Sequence, residues 1–97
     1  MHAVPSEAPR DLTAIAISST SIVTAWQLPV VDSRNGIIRG FKLFYKQNGS
    51  IKSPTIFLFE NPLILSKTVA GLDESTEYEF QVLAFTSVGD GPKGAVW

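Results

Sequence analysis

The stretch Leu72 to Pro92, LDESTEYEFQVLAFTSVGDGP, limits what this chain can fold into more than any other. From Tyr78 it alternates, with Tyr78, Phe80, Val82 and Ala84 on one side and Glu79, Gln81, Leu83 and Phe85 on the other. A repeat of two residues is the repeat of a β-strand, and an apolar side opposite a mixed one marks a strand with one buried face. Gly89-Asp90-Gly91-Pro92 then forms a loop, because glycine and proline interrupt a strand.

Similar stretches recur along the chain. Leu12 to Ile17 reads as a first strand, Ser18-Ser19-Thr20-Ser21 as a turn and Ile22 to Trp26 as a second strand. Leu28-Pro29 ends that strand, and Val30 to Asn35 is a loop closed by Asn35-Gly36. Ile37 to Lys46 follows, with Phe41, Leu43 and Tyr45 on one side and Lys42, Phe44 and Lys46 on the other. Asn48-Gly49 is a hairpin signal, since a tight turn needs positive φ at its centre. Pro54 to Phe59 is expected to return antiparallel as an edge strand. Leu65 to Val69 is a further short strand between Asn61-Pro62 and Gly71, and a short last strand begins near Lys93 and stops at Trp97. β-branched and aromatic residues fill these stretches, which argues against helices. The expectation is an all-β fold of seven antiparallel strands in two packed sheets. Residues 1–8 read as a linker, and residues 9–97 as the domain.

Several functions are disfavoured by what the chain carries. Its 97 residues suffice for one domain. The net charge is -1, and the eight lysines and arginines are scattered from Arg10 to Lys93, so no phosphate-tracking surface is expected. No apolar run reaches the roughly 18–20 residues that cross a bilayer, and Met1-His2-Ala3-Val4 lacks the apolar core of a signal peptide. The chain has no cysteine, which rules out disulfides and thiolate ligands without placing the compartment. His2 is the single histidine, so no nucleophile-histidine pair or histidine zinc cluster can be assembled. Asp73, Glu74, Glu77 and Glu79 read as a solvated turn and an outward strand face. Gly89, Gly91 and Gly94 lack the lysine and helix start of a phosphate loop. No catalysis, cofactor, metal or small-molecule substrate is expected.

Taken together in order, these motifs resemble the fibronectin type III family. Pro9-Arg10-Asp11-Leu12 is similar to the family's opening, Trp26 followed by Pro29 to its second strand, and Asn35-Gly36-Ile37 through Tyr45 to its third. Leu72, Thr76 and Tyr78 resemble its tyrosine corner, and Gly89 to Pro92 its loop before the last strand. The resemblance implies an immunoglobulin-like sandwich in which Leu12, Trp26, Tyr45, Leu72 and Tyr78 are structural. It also implies that the Tyr78 hydroxyl bonds backbone in the preceding turn. Three residues depart from the pattern. Thr24 stands where an aliphatic residue is wanted and needs a backbone partner, Lys67 falls at an inward position and is expected to snorkel, and Asp73-Glu74-Ser75 replaces a proline turn.

Alternation places Phe44, Leu83 and Phe85 on outward faces of neighbouring strands, beside Lys42 and Lys46, and together they form the candidate protein contact. Ile56 to Phe59 must also turn two apolar residues outward. The loops Pro29 to Gly36 and Ser87 to Lys93 share one end of the sandwich and are a second candidate. Asn48-Gly49-Ser50 is a glycosylation sequon at a hairpin tip. Asn35-Gly36-Ile37-Ile38-Arg39-Gly40-Phe41 looks most like modules of neuronal adhesion and guidance receptors, of the netrin-receptor, sidekick or receptor tyrosine phosphatase type. The resemblance implies a non-catalytic extracellular module that spaces its neighbours and contacts other protein domains. Its membrane attachment would then lie outside this fragment. The alternative is a structural module of a cytosolic, muscle-type filament protein.

Overall fold

A computed structural model describes residues 3–30, 32 and 34–94. Six strands follow one another: β1 (Arg10–Ser18), β2 (Ser21–Gln27), β3 (Gly40–Gln47), β4 (Thr55–Phe59), β5 (Ser66–Val69) and β6 (Tyr78–Phe85). They form two antiparallel sheets of three, ordered β1-β2-β5 and β4-β3-β6.

The fold is therefore a two-sheet sandwich, but the expected count of seven strands is corrected to six among the described residues. After β6 the chain turns back and runs beside it from Asp90 to Gly94. It makes one isolated bridge, Phe85 to Asp90, and two further backbone bonds, Gly91 N to Ala84 O at 2.9 Å and Gly94 N to Val82 O at 3.1 Å. Pro92 has no N–H to add to a ladder. The remainder of the expected last strand, through Trp97, lies outside the described residues.

Phe41 and Leu43 of β3 and Phe80, Val82 and Ala84 of β6 are buried against Trp26 and Val69 of the other sheet. Trp26 meets Phe41 edge-on at 5.8 Å between ring centroids, and Phe59 at 5.8 Å. Its size makes it a major packing residue, although its buried Nε1 finds no partner among the described residues. Leu12 and Tyr45 pack on this cluster half-buried, and Leu72 closes its lower end.

The departures from the family pattern resolve through bonds across strands. Thr24 is fully buried, and its Oγ1 donates to Lys67 O at 2.9 Å, which satisfies a hydroxyl that would otherwise destabilise the core. Lys67 bridges the open side of the sandwich, its Nζ 5.0 Å from the centre of the Phe57 ring. Asp73 N donates to the Tyr78 hydroxyl at 2.8 Å, so the tyrosine pins the turn before its own strand.

The Asn48-Gly49 turn is closed by Ser50 N donating to Gln47 O at 3.0 Å, with Gly49 at φ 77. β4 does return antiparallel, pairing Tyr45 with Thr55 and Phe41 with Phe59. The turn only opens a longer connection, because β4 starts at Thr55.

Candidate contact surfaces

The outer face of β4-β3-β6 is set by cross-strand register. Lys42 lies opposite Leu83, Phe44 opposite Gln81, Lys46 opposite Glu79 and Gly40 opposite Phe85. On the other side of β3, Lys42 lies opposite Leu58 and Phe44 opposite Ile56. Phe44, Leu83 and Phe85 thus share one face, as alternation requires. Phe85 fills the space over Gly40, where an added Cβ would sit 2.8 Å from its ring and against Phe59 O. Only glycine fits there.

The expected exposure does not follow. Phe44 is 9% exposed and Leu83 4%, and Phe85 is half-buried. The returning segment Asp90–Gly94 runs beside β6 and sends side chains across this face. Asp90 pairs with Lys42 at 2.8 Å, Lys93 Nζ sits 4.2 Å over the Phe44 ring, and Gln81 Nε2 donates to Gly94 O at 2.9 Å. Lys42 and Lys46 are half-buried, the latter with its Nζ donating to Ser50 O at 3.0 Å. The open apolar patch assigned to Phe44, Leu83 and Phe85 is corrected to a second, strapped hydrophobic layer. The sequence shows which face a side chain takes, but not that side chains of a later segment reach across it.

Exposed apolar side chains occur elsewhere. Ile56 and Leu58 project from the β4 edge, the outward pair expected of that strand. The outer face of β1-β2-β5 carries Ile15 at 63% and Ile17 at 59% exposed, with Val23 opposite Ile15 and Thr68 opposite Val23. That stripe was missed, although Leu12-Thr13-Ala14-Ile15-Ala16-Ile17 signals it by putting alanine, not isoleucine, on Leu12's side.

At the lower end of the sandwich, Asn48 is exposed at its turn. Its Nδ2 donates to Glu77 Oε2 at 3.0 Å, and Gly49 N donates to Glu79 Oε1 at 3.2 Å. Asp73 accepts from Gln47 Nε2 at 3.1 Å. These carboxylates fasten turns to strands. Among the described residues, no three acidic, histidine or cysteine side chains converge as a metal site. His2 lies outside the described residues.

At the upper end, the loops after β2 and β6 hold the incoming chain, and the loop after β4 lies beside the loop after β2. The loop Pro29 to Gly36 is described apart from residues 31 and 33. Arg34 Nε donates to Pro29 O at 2.9 Å within it. Both loops of the second candidate contact lie at this end, as the pairing of Gly40 with Phe85 requires.

Residues 7–96 match the profile described as "Fibronectin type III domain". The chain is 40% identical over 91 residues to mouse protein sidekick-2, which covers 93% of this chain and 4% of that protein. It is 42% identical over 89 residues to mouse neogenin, covering 92% and 6%. In the crystal structure of the FN5 domain of Drosophila Lar the same fold recurs, with a TM-score of 0.74 and 32% identity over 97% of this chain and 92% of that one. The chain spans only 4–6% of the length of these curated relatives. Fibronectin type III domains are non-catalytic structural and binding modules, which agrees with carboxylates committed to turns. The chain belongs to the fibronectin type III domain family.

Proposed function

We propose that this domain is an extracellular module of a multidomain cell-surface adhesion or guidance receptor, where it spaces neighbouring modules and offers surfaces to other protein domains. The observation that carries the reading is identity of 40–42% across more than nine-tenths of the chain to modules of sidekick-2 and neogenin. A sandwich whose polar turns are fastened by their own side chains suits a spacer, because it keeps the distance between its two ends fixed. An epitope tag placed beside the domain in its parent chain tests the location. The expected result is antibody labelling of intact cells; labelling only after permeabilisation overturns the reading in favour of a cytosolic array.

Asn48 is the modification site of this reading. It is exposed at the hairpin turn, where its Nδ2, the atom that would carry a glycan, donates to Glu77 Oε2 at 3.0 Å. The secreted domain is expected to lose mass on treatment with a peptide N-glycosidase. Asn48→Gln and Ser50→Ala should each abolish that loss. An unmodified secreted domain would remove the assignment.

A further inference from the structure

Residues 3–5 precede the part of the chain that matches the family profile, yet they are bound as firmly as a strand end. Ala3 N donates to Asn35 O at 2.8 Å, and Asn35 Nδ2 donates back to Val4 O at 3.2 Å. On the other side Thr86 Oγ1 donates to Ala3 O at 2.8 Å. Asn35 holds φ 54, the left-handed region that asparagine tolerates better than most residues, and Thr86 is buried. Pro5 is fully buried, and an added Cβ on Gly91 would sit 2.9 Å from it. Gly89, at φ 155, likewise leaves little room beside Val4, whose Cγ1 would lie 3.3 Å from an added Cβ. The loops after β2 and β6 therefore grip the incoming chain from both sides.

The same end carries exposed apolar side chains. Ile37 and Leu63 flank one shallow concavity with Leu28, Ile38 and Pro62. Val88 stands on the loop that holds Val4, and it too is exposed. From this end the chain runs through the sandwich and back along β6 toward the opposite end, as the bonds of Gly91 to Ala84 and Gly94 to Val82 show. The chain ahead of Ala3 thus enters at the end that carries these side chains, and the chain at Gly94 has run back away from it.

We propose that this end is a seat for the module that precedes it in the parent chain: Asn35 and Thr86 clamp the connecting segment, and Val4, Ile37, Leu63 and Val88 pack against that module's facing loops. The inference rests on the tandem-array reading above. A gripped connection limits the hinge between modules, because Ala3 to Pro5 are held against the sandwich. Apolar cover then favours one orientation over the others.

Amide relaxation on this chain tests the clamp. Heteronuclear NOE values at Ala3 and Val4 should equal those of the strands and fall to free-tail values in Asn35→Gly with Thr86→Val. Asn35→Gly keeps the positive φ while removing the side-chain bond, and strand resonances report whether each variant still folds. Tail-like values in the unsubstituted chain overturn the clamp. The seat is tested on the parent's two-module fragment, this domain with the one before it, by residual dipolar couplings. One shared alignment is expected, with loss of that alignment in Ile37→Ser with Leu63→Ser. Independent alignment of the two modules in the unsubstituted fragment overturns the seat. A parent chain with no domain ahead of Ala3 would instead defeat the array reading, leaving the clamp result to stand separately.

Discussion

The two sheets turn their outer faces to different surroundings. On β4-β3-β6 the outward side chains Phe44 and Leu83 are buried next to a strap fastened by the Lys42–Asp90 pair, the Lys93 ammonium over Phe44 and the Gln81–Gly94 bond. On β1-β2-β5 the outward isoleucines of β1 have no such cover and stand more than half exposed. Both faces follow the same local rule, since alternation alone decides which way a strand side chain points. They differ in what the chain does many residues later. Facing is a local property, and burial is a property of the whole fold.

The comparison is broken most directly at its covered side. Leu83→Ala is expected to destabilise the domain by about 2–3 kcal/mol, the lower part of the usual ~2–5 for a buried leucine, because the strap can settle into the space. Phe44→Ala should cost about 3 kcal/mol by the same reasoning. Urea denaturation of each variant measures both. A loss below about 0.5 kcal/mol, ordinary for a surface site, would show that the strap does not bury this face.

The strap's polar fastenings come next. Lys93→Ala removes a cation held over the Phe44 ring and is expected to cost about 0.5–1 kcal/mol. Asp90→Asn should cost less, between about 0 and 1 kcal/mol, because its pair with Lys42 is partly open to water. Repeating the Asp90→Asn measurement in high salt should shrink its effect further, as screening already weakens the pair. Combined with Phe44→Ala, the Lys93→Ala loss should largely vanish, since its ring partner is gone. Full additivity in that double variant would mean that lysine and ring act separately.

These faces also show where the sequence was legible. Periodicity placed Phe80, Val82 and Ala84 in the core, because each of those positions depends on neighbours two residues away, and the family resemblance placed Tyr78 at its corner. The partner of Thr24 was foreseeable, since a buried hydroxyl must bond something and the adjacent strand supplies carbonyls. The strap was not foreseeable from the same rules. Residues 90–94 contain Gly91, Pro92 and Gly94, which offer no alternation to read, and their position depends on bonds to Lys42 and Gln81 far back along the chain. A short last strand was expected from Lys93, and among the described residues the chain beside β6 makes only an isolated bridge at Asp90 and two further backbone bonds. The gripped segment Ala3–Pro5 was equally hidden, because its partners, Asn35 and Thr86, become neighbours only once both sheets have formed.

The smallest effects belong on the bare face. Ile15→Thr and Ile17→Thr keep the β-branched side chain that strands favour while removing part of the exposed apolar surface. Each is expected to change stability by no more than about 0.5 kcal/mol, as for other exposed positions. β1 is an edge strand, so a straight apolar edge would invite pairing with another chain. Its register shifts between Arg10 and Thr13 and again between Ala16 and Ser18, and Asp11 holds φ 55, so the edge is bent at both ends. Those irregularities blunt backbone pairing without hiding the isoleucines. The pair of substitutions should therefore leave unfolding almost unchanged while reducing binding of a hydrophobic dye to the folded domain. A combined loss above about 1.5 kcal/mol would place Ile15 and Ile17 under cover as well, and the contrast between the two faces would then disappear.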